Sequence, residues 1–327
     1  MGRETKIAWC HHTFNGVRGC EHATLADGTE SPGCQHCYAE SMSKRNPAVL
    51  GEWGHEGVRV LGKPEYWAQL DRWHRAAVTI GDLRRVFCYS LGDVFESPKR
   101  LKNADVCATG RARLFDAIER LRPFGVDGFD IEQRGLIFLL LTKRPENVQR
   151  MVPREWLTEW PRHVWLGTSV ENQQAADERI PQLLSVPGVP VRFLSLEPLL
   201  ERVNLLRGLA PFHEVDAMLR PTPRIGWVIA GGESDGMHGS RARPCDLAWL
   251  RDLRDQCKAT GVPFFDKQLG ARPVVSCIDP GWHRQPCREL ICEGAAPSAL
   301  PLRHPKGEDP EEWPEDLRVR EVPEVRL

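Results

Sequence analysis

Short apolar runs recur along the chain, each followed by polar residues and then by a stretch with helical spacing. LIFLLLT (136–142) is continuously apolar, as a strand buried on both faces should be. HVWLGTS (163–169), VRFLSLE (191–197), GWVIAGG (226–232) and VPFFDKQ (262–268) follow in the same manner, and RVFCYSLGDVF (85–95) precedes them. A first short strand is expected at residues 5–9, ending at a cysteine-bearing loop. Helices are expected after Cys37 up to Pro47, over 102–122, after KRPEN at 143–147, from Glu171 to Leu184, and over 246–260. Residues 48–85 are mixed, with Trp53, Tyr66, Trp67 and Trp73 among several histidines.

Strands alternating with helices over some 200 residues predict βαβ units and a parallel sheet. Six or seven such repeats close fully or partly into a (β/α) barrel, or lie open as a doubly wound sheet. Strand count alone leaves both arrangements open. Residues 271–327 are rich in Pro and charge and lack periodicity, so an irregular C-terminal appendix is expected, disordered near KGEDPEEWPEDLRVREVPEVRL.

Composition narrows the class. The 327 residues are 41% hydrophobic and 27% charged, ordinary for a globular protein. A formal net charge of −1 gives no global basic field for nucleic acid. No run of eighteen apolar residues predicts a membrane span, and MGRETKIAW has no apolar signal segment, so a cytoplasmic setting is expected. In a reducing compartment, eleven cysteines read as metal ligands, catalytic groups or packing residues rather than disulfides.

The chemistry concentrates between Cys20 and Glu40. Cys34 and Cys37 form a C-x-x-C pair, and thirteen residues separate Cys20 from Cys34. Their neighbours Gly19, Pro32, Gly33, Gln35 and His36 are loop formers, not core formers. Three soft thiolates on one loop suit an iron–sulfur cluster or a zinc ion. A structural zinc wants four closed ligands, whereas a three-cysteine cluster leaves one iron open. The pair by itself also fits half a zinc knuckle or a redox dithiol.

The strand ends carry a second pattern. Ser90 and Asp93, Thr142 and Lys143, Ser169 and Glu171, Ser195 and Glu197, Glu233 and Ser234, and Asp266 to Gln268 each follow an apolar run. In parallel α/β folds ligands sit at those ends, and a polar ring on one rim is what a binding site requires. Lys143, Glu197, Glu233 and Lys267 are the candidates for substrate contact, pairing with one another where charge is half-buried. Arg144, Arg241 and Arg243 are candidates for a bidentate anion contact, with surface salt bridges as the plainer alternative. Cys277, Cys287 and Cys292, with His283 among them, are a looser cluster whose spacing matches no strong motif, and Cys10 with His11 and His12 is looser still. Cys88, Cys107, Cys245 and Cys257 are expected to be packing residues.

The run Lys6-Ile7-Ala8-Trp9, Thr13-Phe14-Asn15, Gly19-Cys20 and Ser31 to Glu40 resembles the start of a phage-associated radical-SAM-like protein family. LLLTKRPEN, WLGTSVENQ, VRFLSLEPLL, WVIAGGES and GVPFFDKQLG resemble the same family in the same order, over about residues 5–270. Radical SAM enzymes usually carry C-x3-C-x2-C, and the first spacing here is much longer. The resemblance implies an α/β fold with a partial (β/α) barrel of about six parallel strands over residues 1–270, and the appendix over 271–327. It implies that Cys20, Cys34 and Cys37 ligate a [4Fe–4S] cluster and that S-adenosylmethionine binds its open iron. Ser90, Asp93, Ser169, Glu171 and Asn172 follow the second and fourth strands, where such enzymes hold the cofactor, and His36 takes the place beside the adenine. The only Gly-Gly-Glu, Gly231 to Glu233, follows the sixth strand, so the usual ammonium role is not carried to it. An external flavodoxin- or ferredoxin-like electron donor is implied, and the phage association points to a nucleic-acid base or nucleotide as substrate. The rival expectation is a metal- or cluster-stabilised protein that binds nucleic acid and catalyses nothing.

Overall fold

The computed structural model describes residues 5–96, 103–123, 134–206, 208–209, 223–234, 242–276 and 297–324. Seven parallel strands form one curled half-barrel sheet, one strand more than expected. They are β1 (His12–Phe14), β2 (Leu83–Cys88), β3 (Gly135–Thr142), β4 (Val164–Ser169), β5 (Arg192–Leu196), β6 (Trp227–Gly231) and β7 (Phe264–Gln268). They pair in chain order, each parallel to the next. Every strand end that carries chemistry therefore lies on the same rim.

The helices α1 (Tyr38–Ser43), α2 (Pro64–Ile80), α3 (Ala104–Arg120), α4 (Gln173–Leu184) and α5 (Leu247–Thr260) come from the connections. Pro47 does not stop α1, which ends at Ser43; it opens a separate turn at Pro47–Leu50. The mixed stretch at 48–85 holds the 17-residue α2, whose buried face is Leu70, Trp73, His74 and Ala77. That face is aromatic and polar, so its 3.6-residue period is masked in the sequence.

Alternation along the strands gives the sheet two different faces. The helix-facing side joins Leu136, Phe138 and Leu140 to Leu114, Ile118, Leu183 and Leu250 in the main core. The concave side carries Phe87, Ile137, Leu139, Trp165, Phe193, Trp227, Ile229 and Phe265. Residues 5–9 do not form the first strand. Trp9 instead drops into the concavity, with ring centroids 4.7 Å from Phe87 and 6.4 Å from both Phe193 and Trp227. It thereby links the second strand to the fifth and sixth, and aromatic pairs of this kind add about 0.5–1.5 kcal/mol each beyond their burial. Gly167 makes the layer possible, because a Cβ there would stand 2.5 Å from the Phe193 ring. The half-barrel is thus a bowl with an aromatic floor.

The appendix is irregular but ordered where it is described. Trp313 and Leu317 are buried, and the backbone at 319–321 bonds Asp266 and Phe264 along the outer edge of β7. The stretch at 306–324, expected to be disordered, instead covers an edge strand that would otherwise present unpaired backbone groups. Cys277, Cys287, Cys292, His283 and Arg241 lie outside the described residues.

Candidate functional site

The loop that bears Cys20, Cys34 and Cys37 lies across the carboxyl-end rim, held there by carboxylates from several strand ends. At the end of β4, Glu171 is fully buried and accepts an ion pair from Lys143 and another from Arg179 Nη1 at 2.9 Å. Arg179 Nη2 donates to Ser31 Oγ at 2.9 Å, and Ser31 Oγ donates in turn to Glu171 at 3.4 Å. Gly33 rests on the same carboxylate, where a Cβ would meet Oε1 at 2.5 Å. Burial alone would push the Glu171 carboxyl up, but Lys143 and Arg179 hold it below the usual range.

A second clamp follows β6. Glu233 accepts from the Arg243 backbone N at 2.8 Å and Nε at 3.0 Å, and His36 Nδ1 stands 3.1 Å from its Oε2. Arg243 Nη1 also donates to the Pro32 carbonyl at 3.0 Å. Burial opposes ionisation of Glu233, and Arg243 outweighs it, so its carboxyl also lies below the usual range.

The Cys20 end is fixed from β2 and β3. Tyr89, just after β2, has a φ of +66°, a conformation that bulky residues rarely adopt, and it turns the chain into the 90–93 loop. Asp93 accepts from Thr142 Oγ1 at 2.8 Å, the Lys143 backbone N at 3.1 Å and Arg144 Nη1 at 3.0 Å. Arg144 Nη2 donates to the Glu21 carbonyl at 2.7 Å, and Cys20 Sγ lies 3.2 Å from the same oxygen. The buried pair Arg59–Glu96, at 2.7 Å, sets the flanking turn: Arg59 Nη1 reaches the carbonyls of Glu52 and Gly57, and Glu96 accepts from the Glu21 backbone N.

Each sequence candidate can now be placed. Asn172 caps α4, its Oδ1 accepting from the Ala175 backbone N at 2.9 Å. Ser90 Oγ pairs with the Asn15 side chain at 3.1 Å, and the Ser90 carbonyl accepts from the Tyr38 hydroxyl at 2.8 Å. The carbonyl of Ser169 accepts from Arg179 at 2.9 Å. Lys143 joins Glu171 at the rim, and Lys267 joins Glu197 at 2.8 Å deeper in the bowl. Glu197 also accepts from Trp9 Nε1 at 3.2 Å and Ser195 Oγ at 3.1 Å. Cys10 lies beside this pair, its thiol pushed up to about 12 by burial.

Sequence reasoning missed Arg59, Glu96, Arg179, Ser31 and Tyr38. Tyr38 directly follows Cys37 and leaves 46% of its surface exposed, yet it lies within electrostatic reach of Glu197 and Cys10. Both hold if its exposed ring looks into the bowl rather than out of the molecule. Adjacency to the C-x-x-C pair was the signal for Tyr38; nothing in the sequence pairs Arg59 with Glu96.

The thiols of Cys20 and Cys37 are both pushed up by burial, and in both the nearby Cys34 adds to the rise. The three sulfurs thus share one neighbourhood. Among the described residues, no three His, Cys, Asp or Glu side chains stand gathered as a metal-binding group. The donor chemistry nonetheless fits a soft metal centre: three thiols on one loop, with Arg144 and Lys143 as nearby cations and the carboxylates of Glu96 and Asp93 near Cys20.

Residues 4–278 match a family described as "Protein of unknown function (DUF5131)". The chain belongs to that family. No curated protein and no solved structure matches it. A cavity of about 810 Å³ lined by Trp156, Trp160, Arg122 and His163 lies at the opposite ends of the strands, away from the rim. Among the described residues, no helix is long and apolar enough to cross a membrane.

Proposed function

We propose that this chain is a radical S-adenosylmethionine enzyme. The observation that carries the reading is the clamped loop: three thiols held over the open mouth of a curled parallel sheet, above a carboxylate–ammonium pair on its floor. Cys20, Cys34 and Cys37 are the ligands of the [4Fe–4S] cluster in this reading. When bound, the cluster supplies the electron, and S-adenosylmethionine the 5′-deoxyadenosyl group, for hydrogen abstraction from the substrate.

The chain's own residues do the rest. Asp93, Glu171 and Asn172 act through the loops and the helix they hold, while Ser90, Ser169 and His36 are the direct cofactor contacts. Glu233 and Lys143 complete the rim. Glu197 and Lys267 face the substrate, and the aromatic floor below them excludes water, which a reactive intermediate requires. The phage association of the resembling family makes a nucleic-acid base or nucleotide the proposed substrate, and a flavodoxin- or ferredoxin-like protein the electron donor.

The test is anaerobic reconstitution with iron and sulfide, followed by reduction in the presence of S-adenosylmethionine. Broad visible absorption, lost on changing any of the three cysteines to Ala, and release of 5′-deoxyadenosine are expected. A colourless protein holding stoichiometric zinc, or a cluster whose spectrum S-adenosylmethionine leaves untouched, would falsify the reading.

A further inference from the structure

One carbonyl oxygen joins the Cys20 thiol to a buried cation. Glu21 O accepts from Cys20 Sγ at 3.2 Å and from Arg144 Nη2 at 2.7 Å. The guanidinium cannot swing away, because its Nη1 is fixed on Asp93 at 3.0 Å, and its side chain is only 11% exposed. Asp93 in turn is fixed by Thr142 Oγ1 and the Lys143 backbone N. Glu96 also neighbours Cys20; its carboxylate accepts from the Glu21 backbone N and belongs to the pair with Arg59. The Cys20 neighbourhood therefore already holds two carboxylates, Asp93 and Glu96, matched by two guanidiniums. A thiolate there adds a negative charge, and Arg144 is the cation bonded to the carbonyl that the thiol form shares.

Resting on the reading above, we infer that Arg144 is the positioning residue for the Cys20 ligand: it fixes the peptide that follows Cys20 through the Glu21 carbonyl, and it neutralises the charge that thiolate ligation brings to the rim once the S–H bond to that oxygen is lost. Its shape suits that role, since a planar fork reaches carboxylate and carbonyl at once, as a lysine cannot. Burial opposes the charge of Arg144, but Asp93 first, and then Cys20 and Glu96, keep it firmly protonated. A charge held this close to a bound cluster makes its reduced form more favourable, so removing it should drive the midpoint potential negative, and removing its anionic partner should drive it positive.

The experiment uses the full chain, reconstituted anaerobically, with iron per chain, an EPR-monitored redox titration and a melting curve for each variant. Arg144→Gln is expected to retain several-fold less iron after desalting and to move the midpoint negative. Arg144→Lys is expected to stay near the parent in midpoint, and Asp93→Asn to move it positive. A purely structural role produces no shifts of opposite sign. A Gln variant with the parent's iron and midpoint overturns the inference, as does a Lys variant that behaves like the Gln one. If the Gln variant does not fold, Asp93→Asn decides, and an unmoved midpoint overturns it. If the parent takes up no iron, it is the cluster reading that fails, and the same variants are titrated with Co2+. Its thiolate charge-transfer band then reports ligation, and weaker Co2+ affinity in Arg144→Gln is expected. Equal affinity, or no band in any chain, overturns the inference.

Discussion

The rim and the floor of the bowl use the same residue types in opposite ways. At the rim, Glu171 is fully buried and meets two cations and a hydroxyl, so its own chain takes three of its roughly four acceptor sites and more than balances its charge. On the floor, Glu197 meets one ammonium, an indole N–H and a hydroxyl, so a single cation balances it, and the Glu197 and Lys267 side chains keep 13% and 22% exposure. A carboxylate without exposed surface that two cations hold is a staple; one held by a single cation, with some surface left to the bowl, is read as the reagent. The difference divides the polar ring into parts that hold the cysteine loop and parts that face a substrate.

The staple half of the comparison breaks most visibly at Glu171. Glu171→Ala leaves Arg179 buried, and Lys143 partly so, without a counter-charge, which costs on the order of 3–5 kcal/mol. The melting temperature should fall steeply, and limited proteolysis should cut between Cys20 and Cys34, where Ser31 and Gly33 have lost their support. A variant that melts with the parent and resists the protease would show that the clamp carries no load.

Acid should loosen the rim. Glu171 and Glu233 both lie below the ordinary value of 4.5 in the folded chain. The stability they add is therefore present above 4.5, and it is lost as pH falls through their lower folded values. Melting temperatures taken from pH 7 down to 3 should drop with a slope that Glu233→Gln makes shallower, since the amide cannot take part in the titration. Parallel curves for the two proteins would mean that the Arg243 clamp does not couple to pH.

The sheet was legible in the sequence because its strands are buried on both faces. LIFLLLT and HVWLGTS read as strands with no knowledge of their neighbours, and their polar ends fell on one rim because parallel strands in chain order leave no other choice. Three things were not legible. β1 is three residues long, and the apolar Trp9 just before it plugs the bowl rather than pairing, so the eye places the strand too early. α2 buries Trp73 and His74, which blur its period. The tail looked disordered from its charge, but buried Trp313 and Leu317 and the backbone bonds at 319–321 anchor it on β7. At the site, the ring of polar residues was visible, but its division into staples and reagents was not. Glu171 and Glu197 each follow an apolar strand by one or two positions, and only Arg179, ten residues after Ser169 along α4, separates their roles.

The smallest effect, and the sharpest division, should come from a pair of double-mutant cycles. One joins Lys143→Met to Glu171→Gln, the other Lys267→Met to Glu197→Gln, with unfolding followed in denaturant. Each cycle isolates the coupling of its pair from the losses of the single changes. Glu171 has no contact with water, so its pairing with Lys143 is little screened, and their coupling should reach a few kcal/mol even with Arg179 still beside Glu171. On the floor, Glu197→Gln keeps an oxygen for Trp9 Nε1 and Ser195 Oγ, and Lys267 can turn to water through the open mouth. Both partners there keep some exposed surface, so the coupling should be the smaller of the two. Such a pair contributes little to the fold and stays free to rearrange when a substrate arrives. Were the floor pair to couple as strongly as the rim pair, Glu197 and Lys267 would be a second staple, and the group that meets the substrate would have to be sought at Tyr38, whose exposed ring follows Cys37 and whose hydroxyl is held by the Ser90 carbonyl.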